Sequence, residues 1–363
     1  LKNIWRYNKL LPAVPESSRL LLGEGDTPLI KAKTIGKMLG IPGLYFKLEN
    51  LNPTGSYKDR FAAIFVSILK SRNQHVCLAT SSGNTGAALA AYCAAAGINC
   101  TLAIVDGAPQ PKIKQMQLYG AHTYMIKGFG KDAAVTEEVF GLLKKTAHEM
   151  QIALPVSAFS YCEEGMQGVQ TIAYEILEQE DSFDHIFCPA GGGGLTLAVA
   201  RGCIAYSEQY SAKSPKVHCV QPEGNNTIAG ALRNRRQQAN AIAASTTLIS
   251  GLQVPNVLDG DAVIESCTKL GGNGYIVKDQ DVFKWQRLLA QEEGIFCEPA
   301  GAVALAGLAN AVTGREVSAK DNMVCLVTGS GFKDMLSVDS NFGLPDLQLM
   351  NVAQLESNIR ALR

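Results

Sequence analysis

Short runs of apolar and β-branched residues alternate with helical stretches of ten or more residues along most of this chain, and that alternation leaves few architectures open. A strand buried on both faces needs helices above and below it, so the pattern predicts an α/β fold of doubly wound, mostly parallel sheets. One series runs strand 76–79, Ala-rich helix 84–96, strand 100–105, helix 111–118, strand 122–126 and helix 132–150. A second runs strand 185–188, helix 195–207, strand 217–221, helices near 261–269 and 280–293, helix 299–311 and strand 323–328. At 363 residues the chain exceeds the roughly 250–300 at which single cores stop growing. Two lobes are therefore expected. Residues 73–150 form a small mobile one, and residues 1–72 with 151–363 form a larger discontinuous one, to which the strand and helix within 44–69 are assigned.

Composition narrows the ligand. Apolar residues make up 47% and charged residues 18%, an ordinary globular balance. The formal net charge is zero, so the overall field favours neither nucleic acid nor an anionic membrane, and a small molecule is the better expectation. Ten cysteines are scattered without a C-x-x-C pair, several of them in apolar runs, and read as small core residues. No signal peptide or membrane-length apolar stretch is legible, so a reduced, cytoplasmic protein is expected. The five histidines, His75, His122, His148, His185 and His218, show no ligand spacing. Each reads as a strand-edge or surface residue, and no metal site is expected.

Four loops carry the candidate chemistry. In the stretch Leu51-Asn52-Pro53-Thr54-Gly55-Ser56-Tyr57-Lys58-Asp59-Arg60 a Pro/Gly turn leads into a helix, placing Lys58 in its first turn. The helix dipole disfavours a cation there and favours the nucleophilic free amine, which suits a lysine that forms a Schiff base. Taken alone, such a lysine is more often solvated surface. Thr80-Ser81-Ser82-Gly83-Asn84-Thr85-Gly86 follows a strand and opens a helix, so its free N–H groups and hydroxyls can hold a carboxylate while Asn84 bonds a ring oxygen. A plain capping loop explains it equally well in isolation. Gly191, Gly192, Gly193 and Gly194, again between strand and helix, let the backbone wrap a phosphate with N–H groups alone. The loop lacks the spacing of a dinucleotide fingerprint. Val327-Thr328-Gly329-Ser330-Gly331 ends an apolar strand, where ligands of open α/β sheets sit, and the Thr328 hydroxyl can meet a pyridine nitrogen. A neutral partner there favours elimination over transamination.

Together these motifs resemble the tryptophan-synthase-β-like group, the fold type II pyridoxal-phosphate enzymes, and within it the threonine synthases most of all. The likeness also runs through Trp5-Arg6-Tyr7, Gly23-Glu24-Gly25-Asp26-Thr27-Pro28-Leu29, residues 292–300 and Thr328-Gly329-Ser330-Gly331-Phe332-Lys333-Asp334. It implies pyridoxal 5'-phosphate in the cleft between two lobes, carried as a Schiff base on Lys58, the catalytic lysine that also moves protons. It further implies that Asn84 bonds the ring 3-oxygen, that Gly191, Gly192, Gly193 and Gly194 bind the phosphate and that Thr328 meets the ring nitrogen. Tyr57 and Glu298 would lie beside the ring, and Ser81, Ser82 and Thr85 would hold the substrate carboxylate. The implied activity is a lyase reaction of amino-acid metabolism, elimination from O-phosphohomoserine followed by water addition to give threonine, in a homodimer.

An alternative stays open. The glycine loop followed by Leu195, and Glu298-Pro299-Ala300-Gly301-Ala302, look more like serine and threonine dehydratases, which makes a serine, threonine or diamino-acid ammonia-lyase the second expectation. Threonine synthases supply an arginine to the substrate phosphate within 157–171. An ungapped alignment from Gly168 puts Gly165 at that position, with Glu163 and Glu164 nearby to repel a phosphorylated substrate, although solvated residues at a helix start are the commoner fate of such a pair. A third expectation is a non-catalytic binding protein on the same fold, against which Lys58, Asn84 and Thr328 all speak.

Overall fold

The computed structural model describes residues 2–81, 83–108, 110–180 and 182–361. Its nine strands are β1 (Leu29–Lys31), β2 (Leu44–Leu48), β3 (Val76–Thr80), β4 (Asn99–Ile104), β5 (His122–Met125), β6 (His185–Pro189), β7 (Lys216–Pro222), β8 (Gly274–Val277) and β9 (Met323–Val327). They form two sheets, one of six strands in the order β1-β2-β9-β6-β7-β8 and one of three in the order β3-β4-β5. Every pairing is parallel except β1 with β2 at one edge. The mostly parallel α/β architecture is the one the alternation predicts. β1 and β8 are additions to it: β1 has three residues and β8 opens on Gly274, so neither carries a β-branched run long enough to stand out.

Burial explains the central strands. β6 and β9 are buried at every position, as expected of strands covered on both faces. The helix Lys58–Ser71 packs against the helices Asn84–Ala96 and Phe159–Gln179. The small side chains of Asn84–Ala96 allow close approach, and Gly97 ends that helix in the left-handed conformation. Pro299 at the start of Pro299–Thr313 costs no hydrogen bond there, and this helix lies across β6 and β9. Among the described residues no helix is long and apolar enough to cross a membrane.

One expectation about polar residues is corrected, for two of the five histidines. His185 and His218 are not edge or surface residues; both are buried within the six-stranded sheet, 2.8 Å apart through Nδ1 and Nε2. A strand buried on both faces shows no alternation, so a polar residue in it cannot be placed by pattern alone. All ten cysteines are buried and unpaired. The sulfurs of Cys77, Cys93 and Cys100 lie within 4.8 Å of one another in the core.

Candidate active site

Four parallel strands, β3, β4, β6 and β9, run their carboxyl ends toward one cavity of about 510 Å³, and the loops that follow them line it. Tyr57, Lys58, Ser81, Asn84, Thr85, Gly191, Gly192, Gly193, Gly194, Glu298 and Thr328 are all on its wall. Ser82 lies outside the described residues.

Lys58 is the first residue of its helix. Tyr57 N–H donates to the Thr328 carbonyl at 3.1 Å, which ties the residue before the lysine to the end of β9. The Lys58 Nζ donates to Ser157 Oγ at 2.6 Å and lies 4.5 Å from the centre of the Tyr57 ring. Ser157 Oγ in turn sits 3.1 Å from Thr85 Oγ1, so the ammonium heads a short chain of hydroxyls. Two residues further on, the Arg60 guanidinium is fully buried and holds both Glu49 and Glu175 at 2.7 Å. These two carboxylates fix the lysine's helix from the side away from the cavity.

The glycine loop is pressed against the protein on one face. A side chain at Gly192 would meet Leu258 at 2.8 Å, and Gly193 has φ +97° with Val263 only 2.9 Å from where its Cβ would be. L residues pay for that left-handed conformation, and glycine does not. Among the described residues, no protein acceptor takes the amide N–H of Gly191, Gly192, Gly193 or Gly194. These four residues lie on the cavity wall where the helix Gly194–Tyr210 begins, and their free amides could hold an anion there.

Asn84 opens its helix and donates through Nδ2 to Glu298 Oε1 at 2.7 Å, while its Oδ1 is buried without a partner. The expected bond from Asn84 to a ring oxygen therefore shares the amide with Glu298. Ser81 Oγ accepts from the Gly86 N–H at 2.9 Å, which commits the oxygen to closing its own loop. Thr328 is buried at the end of β9.

Two residues that motif reading passed over are central. Lys112, almost fully buried, reaches Glu298 Oε2 and Ser250 Oγ, each at 3.3 Å. It stands at the start of the helix after β4, so the strand–loop–helix logic that found the other loops could have found it. Ser157 lies in an irregular segment, two residues before the helix Phe159–Gln179, and has no such signal.

Gly165 does not face the cavity. A side chain there would lie 2.6 Å from the Phe61 ring, and the residue serves helix packing. Glu163 and Glu164 are exposed and off the cavity wall, with Glu164 paired to Arg72 at 2.8 Å, which is the solvated helix-start reading of the pair. The ungapped register could not see the break in helical geometry at Cys162 (φ −147°, ψ 71°), which reorients this segment.

The pocket fits pyridoxal phosphate on its own terms: a lysine amine in the wall, four unspent amides at a helix start, and a buried amide oxygen wanting a donor. Comparison with known proteins agrees. Residues 20–329 match the family model described as pyridoxal-phosphate dependent enzyme. The chain is 32% identical over 335 residues to a threonine synthase of Methanocaldococcus jannaschii, covering 91% of this chain and 80% of that one. It is 31% identical to a threonine synthase of Halalkalibacterium halodurans, covering 92% and 91%. Among solved structures it is similar to a processed threonine deaminase isoform 2 from Solanum lycopersicum, with TM-score 0.75 and 22% identity over 94% of this chain and 89% of that one. A maize serine racemase gives TM-score 0.71 and 22% identity over 93% and 92%, and at such identities both structures speak for the fold alone. The chain belongs to the family of pyridoxal-phosphate-dependent enzymes.

Proposed function

We propose that this chain is a lyase with threonine-synthase chemistry, removing phosphate from O-phosphohomoserine and adding water to give threonine. The observation that carries the reading is the Lys58 amine held in the cavity wall by Ser157 and, through it, Thr85. When bound, pyridoxal phosphate supplies an electron sink for charge that develops on the substrate carbon. The free amides of Gly191, Gly192, Gly193 and Gly194 would hold its phosphate, and Asn84, Thr328, Tyr57 and Glu298 would surround its ring.

Lys58 takes up and returns protons at Nζ, and the Ser157 hydroxyl orients that atom. Thr85 and the Ser81 loop bind the substrate carboxylate at the start of the helix Asn84–Ala96. The sequence likeness to threonine synthases over more than nine-tenths of the chain supports the choice of substrate. Ser81, Asn84, Thr85 and Lys112 come from residues 73–150, and Lys58, the glycine loop, Glu298 and Thr328 from the rest. Closure of 73–150 as a mobile lobe would exclude water at the stage when it is unwanted. A cytoplasmic homodimer belongs to the same proposal and rests on the family likeness.

One observation favours the ammonia-lyase reading. The basic side chains on the described cavity wall are Lys58 and Lys112, and Lys112 is engaged by Glu298, which leaves less cation for a substrate phosphate. Both readings are tested by incubating the holoenzyme with O-phosphohomoserine, serine, threonine and a diamino acid. Phosphate and threonine together support the first; ammonia and a 2-oxo acid support the second. Holoenzyme that turns over none of them rules out both.

A further inference from the structure

Lys112 lines a second cavity as well, of about 490 Å³, which it shares with Asn50, Asn52, Gln115, Ser330 and Lys333. Lys333 is only 5% exposed, and its Nζ donates to Gln115 Oε1 at 2.8 Å. Among the described residues that ammonium has no other acceptor, although it carries three N–H bonds. Donors buried without acceptors are costly, and these belong to a residue on a cavity wall. Burial pushes the Lys333 amine down to about 8, with Glu298 and Asp59 opposing that shift.

The nearby carboxylates already have partners. Asp59 accepts from the Thr54 N–H and hydroxyl at 2.8 and 2.6 Å, Asp334 from the Ser337 N–H at 3.3 Å, and Glu298 from Asn84. The two 3.3 Å contacts of Lys112 are long for charge-assisted bonds, so its ammonium can be shared. Ser330 adds a hydroxyl to the same wall.

We propose that this cavity is a second anion site, which takes inorganic phosphate or the phosphoryl group of a small metabolite between Lys333 and Lys112. Its occupant acts on the first cavity through the chain Lys112, Glu298, Asn84: an anion that draws on Lys112 loosens Glu298 and with it the amide of Asn84. The inference goes beyond the proposed reaction, because it concerns binding outside the cavity that holds Lys58.

The test uses the pyridoxal-phosphate-loaded enzyme. Wild-type crystals soaked in inorganic phosphate should show the anion between Lys112 and Lys333, and calorimetry should count this site with phosphate and with glycerol phosphate. Preference for one of the two tells a free ion from a phosphoryl group. Lys333→Met should weaken that binding about ten-fold or more, the worth of a lost charge-assisted hydrogen bond. Substrate binding in the first cavity should stay the same. Saturating the site should also shift the cofactor absorbance of the wild type and leave that of Lys333→Met in place. Phosphate found only in the first cavity, or bound equally by both proteins, overturns the site; an unmoved absorbance at saturation overturns the coupling. The wild-type crystals decide the first point even if Lys333→Met fails to fold.

Discussion

Ser157 is the residue on which the Lys58 amine depends. The bond between them is 2.6 Å long, and Thr85 lies 3.1 Å beyond the serine oxygen. A lysine side chain has four rotatable bonds, so an amine without a fixed partner samples many positions of which few serve proton transfer. Ser157→Ala removes that partner and little else. We expect kcat to fall about ten- to one-hundred-fold, the range set by a hydrogen bond to a charged group at roughly 1.5–3 kcal/mol. The thermal midpoint should move by no more than a degree or two, and Ser157→Thr should restore part of the rate. Steady-state kinetics beside a melting curve separates this from a general loss of fold. A Ser157→Ala enzyme with unchanged kcat would show that the cavity orients Lys58 by other means.

At the scale of elements, the lysine's helix is placed by a neighbour that comes very close. A Cβ on Gly168 would lie 2.2 Å from the Arg60 carbonyl oxygen, so the helices Lys58–Ser71 and Phe159–Gln179 meet where only glycine fits. Gly168→Ala forces them apart, and overpacking of this kind costs about 1–3 kcal/mol. The separation also moves Arg60 relative to Glu175, and with it the turn that carries Lys58. A urea titration should show the lost stability, and dialysis should show faster loss of cofactor. A variant as stable as the parent would mean that the helices yield without strain. Elements of this kind were partly legible. The helix 84–96 was placed to the residue, because Gly83 and Gly97 bracket a run of small apolar residues with no other stop signal. The four loops were legible because each follows a strand, and three of them lead into a helix in adjacent sequence. What pairs one loop with another was not: Ser157 reaches Lys58 across 99 positions and Lys112 reaches Glu298 across 186. Gly165 was misplaced for the same reason, since which way a helix turns its face is set by the helix it packs on.

Over the whole molecule, the response to acid is a contest between buried groups. The Asn273 N–H donates to His218 Nδ1 at 2.9 Å, which puts the His218 proton on Nε2, facing His185 Nδ1. His185 then carries its proton on Nε2, toward Asp321 at 3.1 Å. In this chain neither ring can accept a second proton without breaking a bond. Burial pushes His218 down to about 3 and lowers His185 as well, helped in each by the Lys216 charge. Unfolded histidine takes up its proton near 6.5, so the folded state binds fewer protons below that pH. Their contribution is complete above about 6.5 and drains away as pH falls toward 3, by at most about 1.4 kcal/mol per pH unit for each ring. Asp59 works the other way. Burial raises it to about 7 against the pull of its Thr54 bonds, so its contribution is complete below about 3.9 and is lost as pH rises through 7. Between about 4 and 6.5 the two trends offset one another, and the parent's profile understates both. Single variants expose them. Relative to the parent, His218→Phe should gain about 1–2 kcal/mol between pH 7 and pH 5. Asp59→Asn should lose ground over the same interval, because the parent's own carboxyl becomes neutral as pH falls. Urea midpoints at pH 5, 6 and 7 measure both, and a difference from the parent that stays constant with pH would mean that these groups do not titrate in the buried state described.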